Sequence, residues 1–219
     1  MTLMVHVHGG YPSYAGSGEA WNDADYEAMK LVKALKGLPF KGYASLLTPT
    51  GALVTVREND TVGAFRIFGE WAAAKLAELG VADGVLMAVP SSSCIGMGTD
   101  AKGQKLVEAI RQRSTAFQPI DGLWWKEEFN KSAKGGTRNS AALEANLVVR
   151  EGPTSKVVLV DDVVSSGGHL LACARALRAK GHTVEHALCA AQTVNTHPGN
   201  IWKIESRDLE ACDNLSWDF

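Results

Sequence analysis

Residues 157–169 of the 219-residue chain read Val-Val-Leu-Val-Asp-Asp-Val-Val-Ser-Ser-Gly-Gly-His. Four consecutive apolar residues have the character of a strand buried on both faces. Such a strand delivers Asp161 and Asp162 to its end. Adjacent carboxylates suit a vicinal diol, or water held around a Mg2+ ion. Gly167 and Gly168 let the backbone curl so that successive N–H groups converge as an anion nest. The helix expected next adds its unsatisfied N–H groups and its positive dipole end, which favour a phosphate. A diol site beside a phosphate site has the outline of a ribose 5-phosphate. The plainer reading of the same residues is a glycine-rich turn whose acids cap a helix.

The surrounding pattern predicts what positions this segment. Continuous apolar runs at 85–89 and 157–160, and a third segment at 184–191, read as buried strands. Val62, Phe65, Phe68, Ala72, Leu76 and Leu79 recur at helical spacing up to Gly80. Further helices are expected over about 102–113 and 170–180, and a strand over 116–120. Strand–helix alternation of this kind predicts an α/β fold with a doubly wound, mainly parallel sheet. Ligands of such sheets bind beyond the carboxyl ends of the strands, so the loops after Val89 and Val160 matter most. The first of these holds Ser91, Ser92 and Ser93, with Lys102 and Lys105 downstream. Hydroxyls, amides and a cation there suit a second anion, although an ordinary β–α turn reads the same way. Earlier in the chain, a strand over 3–7, a helix from Asn22 or Asp23 to Lys36 stopped by Gly37, and a hairpin over 43–47 and 53–56 predict an irregular lobe.

Composition sets the broad class. The formal net charge is −2, apolar residues make up 46% and charged ones 21%, a globular balance. One domain over 1–219 is expected. Near-zero charge argues against a nucleic-acid or membrane surface as partner. The four cysteines have no ligand-like spacing, which suits a reduced, cytoplasmic setting. Residues 1–7 are too short for a signal peptide, and no apolar stretch reaches the ~20 residues of a membrane span. His6 and His8 share a strand face, and His182 and His186 lie close in sequence, but neither pair has a third ligand at recognisable spacing. Residues 121–140 form a long polar segment with Trp124 and Trp125 near its start and Lys126, Lys131, Lys134 and Arg138 along it.

The 157–169 segment resembles the 5-phosphoribosyl 1-pyrophosphate (PRPP) motif of the type I phosphoribosyltransferases, and residues 134–149 resemble the region before that motif in ComF-like members. The resemblance spans about 60–191. It implies a core over those residues and a small hood from 1–59 plus 192–219. It implies a pentosyltransferase that moves ribose 5-phosphate from PRPP to a nitrogenous base and releases pyrophosphate, with Mg2+ as cofactor. By position, Asp161 and Asp162 would bind the ribose hydroxyls and Mg2+, and Ser165, Ser166, Gly167, Gly168 and His169 the 5′-phosphate. Ser91, Ser92, Ser93 and Lys102 would meet pyrophosphate. Residues 121–140 suit the family's mobile catalytic loop, with Lys134 and Arg138 joining Asp162 as catalytic candidates. Two departures stand out: His169 replaces the usual Thr or Ser, and Ser165 replaces the acidic residue typical of hypoxanthine–guanine members. Relatives often form homodimers, and some members of the fold sense PRPP or nucleotides without turnover.

Overall fold

A computed structural model describes residues 2–14, 20–128 and 139–212. Its centre is a six-stranded sheet built from β1 (Met4–Pro12), β4 (Gly84–Ala88), β5 (Phe117–Pro119), β8 (Lys156–Val164), β9 (Thr183–Val194) and β10 (Arg207–Asp208). The spatial order is β10-β1-β9-β8-β4-β5. Every pairing is parallel except that of β10 with β1.

Helices cover both faces. On one lie α1 (Asp23–Lys36), α2 (Val62–Glu78) and α3 (Ala101–Arg111), with a hairpin of β2 (Tyr43–Leu47) and β3 (Leu53–Arg57). Their apolar sides close a core with Val158, Val160 and Leu188. On the other lie α4 (Ser140–Asn146) and α5 (Gly168–Ala179), with the short antiparallel pair β6 (Leu123–Trp125) and β7 (Leu147–Val149). Here Leu170, Leu171 and Leu177 pack on Val157, Leu159 and Val184. Over 157–160, alternation along β8 thus feeds two cores, Val157 and Leu159 one and Val158 and Val160 the other. A last short helix, α6 (Leu209–Cys212), follows β10. The doubly wound, mainly parallel sheet expected from the apolar runs is present.

Three boundaries differ from expectation. Residues 3–7, assigned to the hood, belong to β1, which lies inside the central sheet between β9 and β10. Its two histidines and terminal Gly-Gly-Tyr-Pro obscure the pattern of a core strand, yet Val5 and Val7 are buried with α5 and β9. Strand β8 does not stop at Val160 but runs on to Val164, because Asp161, Val163 and Val164 keep their register with Cys189, Ala191 and Gln192. Residues 121–140 are not irregular throughout: β6 lies near their start, and α4 begins at their end, capped by the Asn139 side chain, which accepts from the N–H groups of Ala141 and Ala142.

Local sequence explains the elements that carry the site. Helix α1 opens with a capping box, in which Asn22 and Asp25 exchange side-chain and backbone bonds, and it ends at Gly37. Lys36 is therefore fixed on its last turn. Helix α3 is capped by Asp100, whose carboxylate accepts from the N–H of Gly103. A Cβ at Gly103 would lie 2.7 Å from that of Ala88. The missing side chain is what lets α3, and Lys102 with it, approach β4 so closely.

Candidate functional site

The site lies where the sheet changes winding direction. From β4 the chain proceeds outward to β5, whereas from β8 it proceeds the other way to β9. The pairing of β4 with β8 ends at Ala88 and Val160, extended by one bond from the Val89 N–H to the Val160 carbonyl. Beyond it β8 continues alone on that side for four residues, 161–164. A crevice at such a switch point is where open α/β sheets bind ligands.

Asp161 and Asp162 begin this overhang, and because they lie within a strand they point to opposite faces. Asp162 turns toward α1 and α3 and is buried. Its Oδ1 accepts from Lys36 Nζ at 2.6 Å, and its Oδ2 accepts from Lys102 Nζ. Burial alone would raise its pKa, but the two ammonium groups outweigh that and hold the carboxyl below its ordinary range. Burial likewise opposes the charge on Lys102, yet Asp162 wins and raises the Lys102 pKa. Asp161 turns the other way, in register with Cys189. Its Oδ1 accepts from the N–H of Asp162 at 2.7 Å. Burial, then the charge of Asp162, push its carboxyl up to about 7.

The turn after β8 forms a bed for an anion. Gly167 has φ +87°, a conformation that disfavours side chains, and it opens α5 with no side chain capping the helix. The first N–H groups of a helix have no intrahelical partner, so an anion at this end has donors waiting. His169, in the first turn, packs edge-on against Trp125 with ring centroids 5.7 Å apart. Burial lowers its pKa, so the imidazole is favoured neutral rather than as the cation that would pair a phosphate. Ser165 is exposed and Ser166 partly so.

Trp125 connects this turn to the loop after β4. It is fully buried, and its indole N–H donates to the carbonyls of Pro90 and Ser91, at 3.2 and 2.9 Å. The Ser91 N–H is occupied by the Asp100 carboxylate at 2.9 Å. Of the three serines expected to meet pyrophosphate, Ser91 therefore has its amide turned inward, while Ser92 and Ser93 retain exposure. Lys102 joins the acidic pair directly. Lys134 and Arg138, with Lys131, lie outside the described residues. Lys105 is exposed on α3.

Two participants were not anticipated. Lys36 lies 126 positions from its partner Asp162, and no local signal links a helix's last turn to a distant strand. Arg207, on β10, donates through Nη2 to the Ser165 carbonyl at 2.7 Å. The histidines serve other ends: His6 bonds Ser206 and faces His186 at 3.2 Å, and His8 packs between Trp71 and Trp202. Burial, with His186 as a further cause for His6, lowers the pKa of each to about 4. Among the described residues no group of three or more His, Cys, Asp or Glu side chains could hold a metal ion, and no helix is long and apolar enough to cross a membrane.

Fold and site together define an α/β protein whose sheet presents an acidic strand rim, two lysines and a glycine turn at its switch point. Among solved structures, the chain is similar to an adenine phosphoribosyltransferase of Trypanosoma brucei, solved with AMP, pyrophosphate and ribose-5-phosphate, at 15% identity over 78% of this chain and 83% of that one, TM-score 0.42. It is also similar to a hypoxanthine phosphoribosyltransferase of Staphylococcus aureus, at 11% identity over 65% and 69% of the two chains, TM-score 0.34. A third likeness is to the UMP synthase of Leishmania donovani, at 13% identity, covering 77% of this chain and 30% of that one, TM-score 0.33. No protein-family model and no curated protein matches the sequence. At these scores the likeness carries no argument about chemistry, which rests on the site.

Proposed function

We propose that the protein is a phosphoribosyltransferase that moves ribose 5-phosphate from PRPP to a small nitrogenous base. The observation that carries this reading is the overhang of β8. Two acids at a switch-point crevice are followed, across Val163–Ser166, by a positive-φ glycine and a helix N-terminus with no side-chain cap. That order of groups matches a sugar diol followed by its phosphate.

In this reading the amides of 165–169 hold the 5′-phosphate, and Asp161, at the crevice, accepts from a ribose hydroxyl. Asp162 holds the ammonium heads of Lys36 and Lys102 together. Each ammonium has three donors, so both can keep Asp162 and still donate to the diphosphate. As the C1′–O bond lengthens toward an oxocarbenium-like state, negative charge grows on the departing pyrophosphate. Lysines already fixed there stabilise it without reorganisation. The base nitrogen forms its bond to C1′ from the opposite side, and pyrophosphate leaves with the bonding electron pair. Ser92, Ser93, Lys134 and Arg138 are assigned to the same diphosphate by position.

Of the two carboxylates assigned to Mg2+, Asp162 does not fit, since each of its oxygens faces an ammonium. Asp161 fits as an outer ligand to an ion carried mainly by the substrate's own oxygens, the usual mode for Mg2+.

The alternative is a PRPP or nucleotide sensor of the same fold that does not turn over. It is favoured by one feature, the neutral His169 where the motif has a hydroxyl. Incubation with Mg2+, PRPP and a panel of purine and pyrimidine bases separates the two. The proposal expects base-dependent pyrophosphate release with at least one base. PRPP binding without release for any base would leave the sensor, and no binding at all would remove both.

A further inference from the structure

Residues 206–210 reach back to the anion turn, and successive residues among them contact different parts of the fold. Ser206 Oγ bonds His6 Nδ1 at 2.7 Å. Arg207 pairs with Val5, and Asp208 with Met4, adding β10 to the sheet edge. Leu209 N–H donates to the Leu3 carbonyl at 3.0 Å. Glu210 pairs with Arg178 on α5, the helix whose N-terminus forms the anion bed. A five-residue segment is thereby tied to β1 on one side and to α5 on the other.

Two contacts from this segment land on the turn itself. Arg207 Nη2 donates to the carbonyl of Ser165. Leu209, buried in the same core as Leu170 and Leu171, occupies the space beside Gly167. A Cβ built on that glycine would lie 2.7 Å from Leu209 Cδ2. One contact therefore directs a carbonyl at the start of the turn toward Arg207 and away from any anion. The other fixes the backbone at the residue where the turn becomes helix. A peptide's carbonyl and its N–H point in opposite directions across one plane. Anchoring the Ser165 carbonyl therefore sets the direction of the Ser166 N–H.

We propose that residues 206–210 form a brace that shapes the anion turn, with Arg207 as its positioning residue. The proposal rests on the PRPP reading and deepens it: the brace governs the affinity for the sugar phosphate and leaves the diphosphate side alone. The diphosphate side is built from Lys36, Lys102 and Asp162 on the other face of the sheet, and no described contact from 206–210 reaches them.

Isothermal calorimetry with ribose 5-phosphate and, separately, pyrophosphate tests this on the full chain and its Arg207→Gln and Arg207→Lys variants. Loss of an aligned donor to the carbonyl is expected to weaken ribose 5-phosphate binding in Arg207→Gln by about tenfold. Pyrophosphate affinity stays within about twofold. Arg207→Lys, which keeps a donor able to reach a carbonyl, recovers part of the loss. Unchanged ribose 5-phosphate affinity in Arg207→Gln, or equal loss of both ligands, would overturn the brace. Should the glutamine variant fail to fold, the lysine variant decides alone, and full loss of both ligands in it counts against the proposal. A parent protein that binds pyrophosphate but no ribose 5-phosphate would instead overturn the PRPP reading, and the brace with it.

Discussion

Asp161 and Asp162 share a peptide bond yet are driven in opposite directions by what they face. Asp162 meets two ammonium groups and stays ionised. Asp161 meets buried side chains and its neighbour's charge, and its pKa rises to about 7 from an ordinary 3.8. Between those two pH values the native state holds a proton on Asp161 that the unfolded chain releases. Stability contributed at this residue is therefore present near pH 4, falls as pH rises toward 7, and is gone above it. Asp161→Asn removes the ionisation while keeping an acceptor for the Asp162 N–H. The variant is expected to gain melting temperature over the parent at pH 8, with the gain shrinking by pH 5. Thermal unfolding at the two pH values checks this, and a gap independent of pH would count against the buried-acid account. The divergence of the two acids was not readable beforehand. Their adjacency was plain in the sequence, but only the continued pairing of β8 with β9 past Val160 sends them to opposite faces.

At the scale of elements, the site depends on how closely α3 lies on β4. Gly103 makes that approach, and Asp100 both caps α3 and binds the Ser91 amide. Gly103→Ala must push α3 away or force the Asp100 carboxylate aside, at a cost of about 1–3 kcal/mol as for other overpacked cores. Displacement of Lys102 should accompany it. Chemical denaturation measures the first effect, and a fall in pyrophosphate affinity the second. A stable variant with full affinity would show that the close approach is not what positions Lys102. The long elements were legible because each carries its own signal. Asn22 and Gly37 bracket α1, and Val85 to Val89 form an unbroken apolar run. What escaped is short or atypical. Helix α4 and β7 together span ten residues behind a polar segment; β1 was expected as a strand, but its histidines and glycines hid its place inside the central sheet. Their structure comes from partners distant in sequence, and no local periodicity records it.

At the scale of the whole molecule, the candidate site draws on remote parts of the chain. Lys36 comes from the first helix, the acids and glycine turn from β8, and Arg207 from the last strand. Within the 157–169 segment the residues were legible, because one strand and one turn hold them together. The lysine clamp and the C-terminal contact were not, since the first exists only once α1 and α3 have packed beside β8, and the second only once β10 has joined β1. Titration of PRPP into the parent protein and into an Asp161→Asn, Asp162→Asn double variant, with thermal unfolding to confirm that both are folded, asks whether the acidic rim binds the sugar phosphate. Saturable binding to the parent and none measurable to the folded double variant is the expected result. Equal affinity in the two would contradict it.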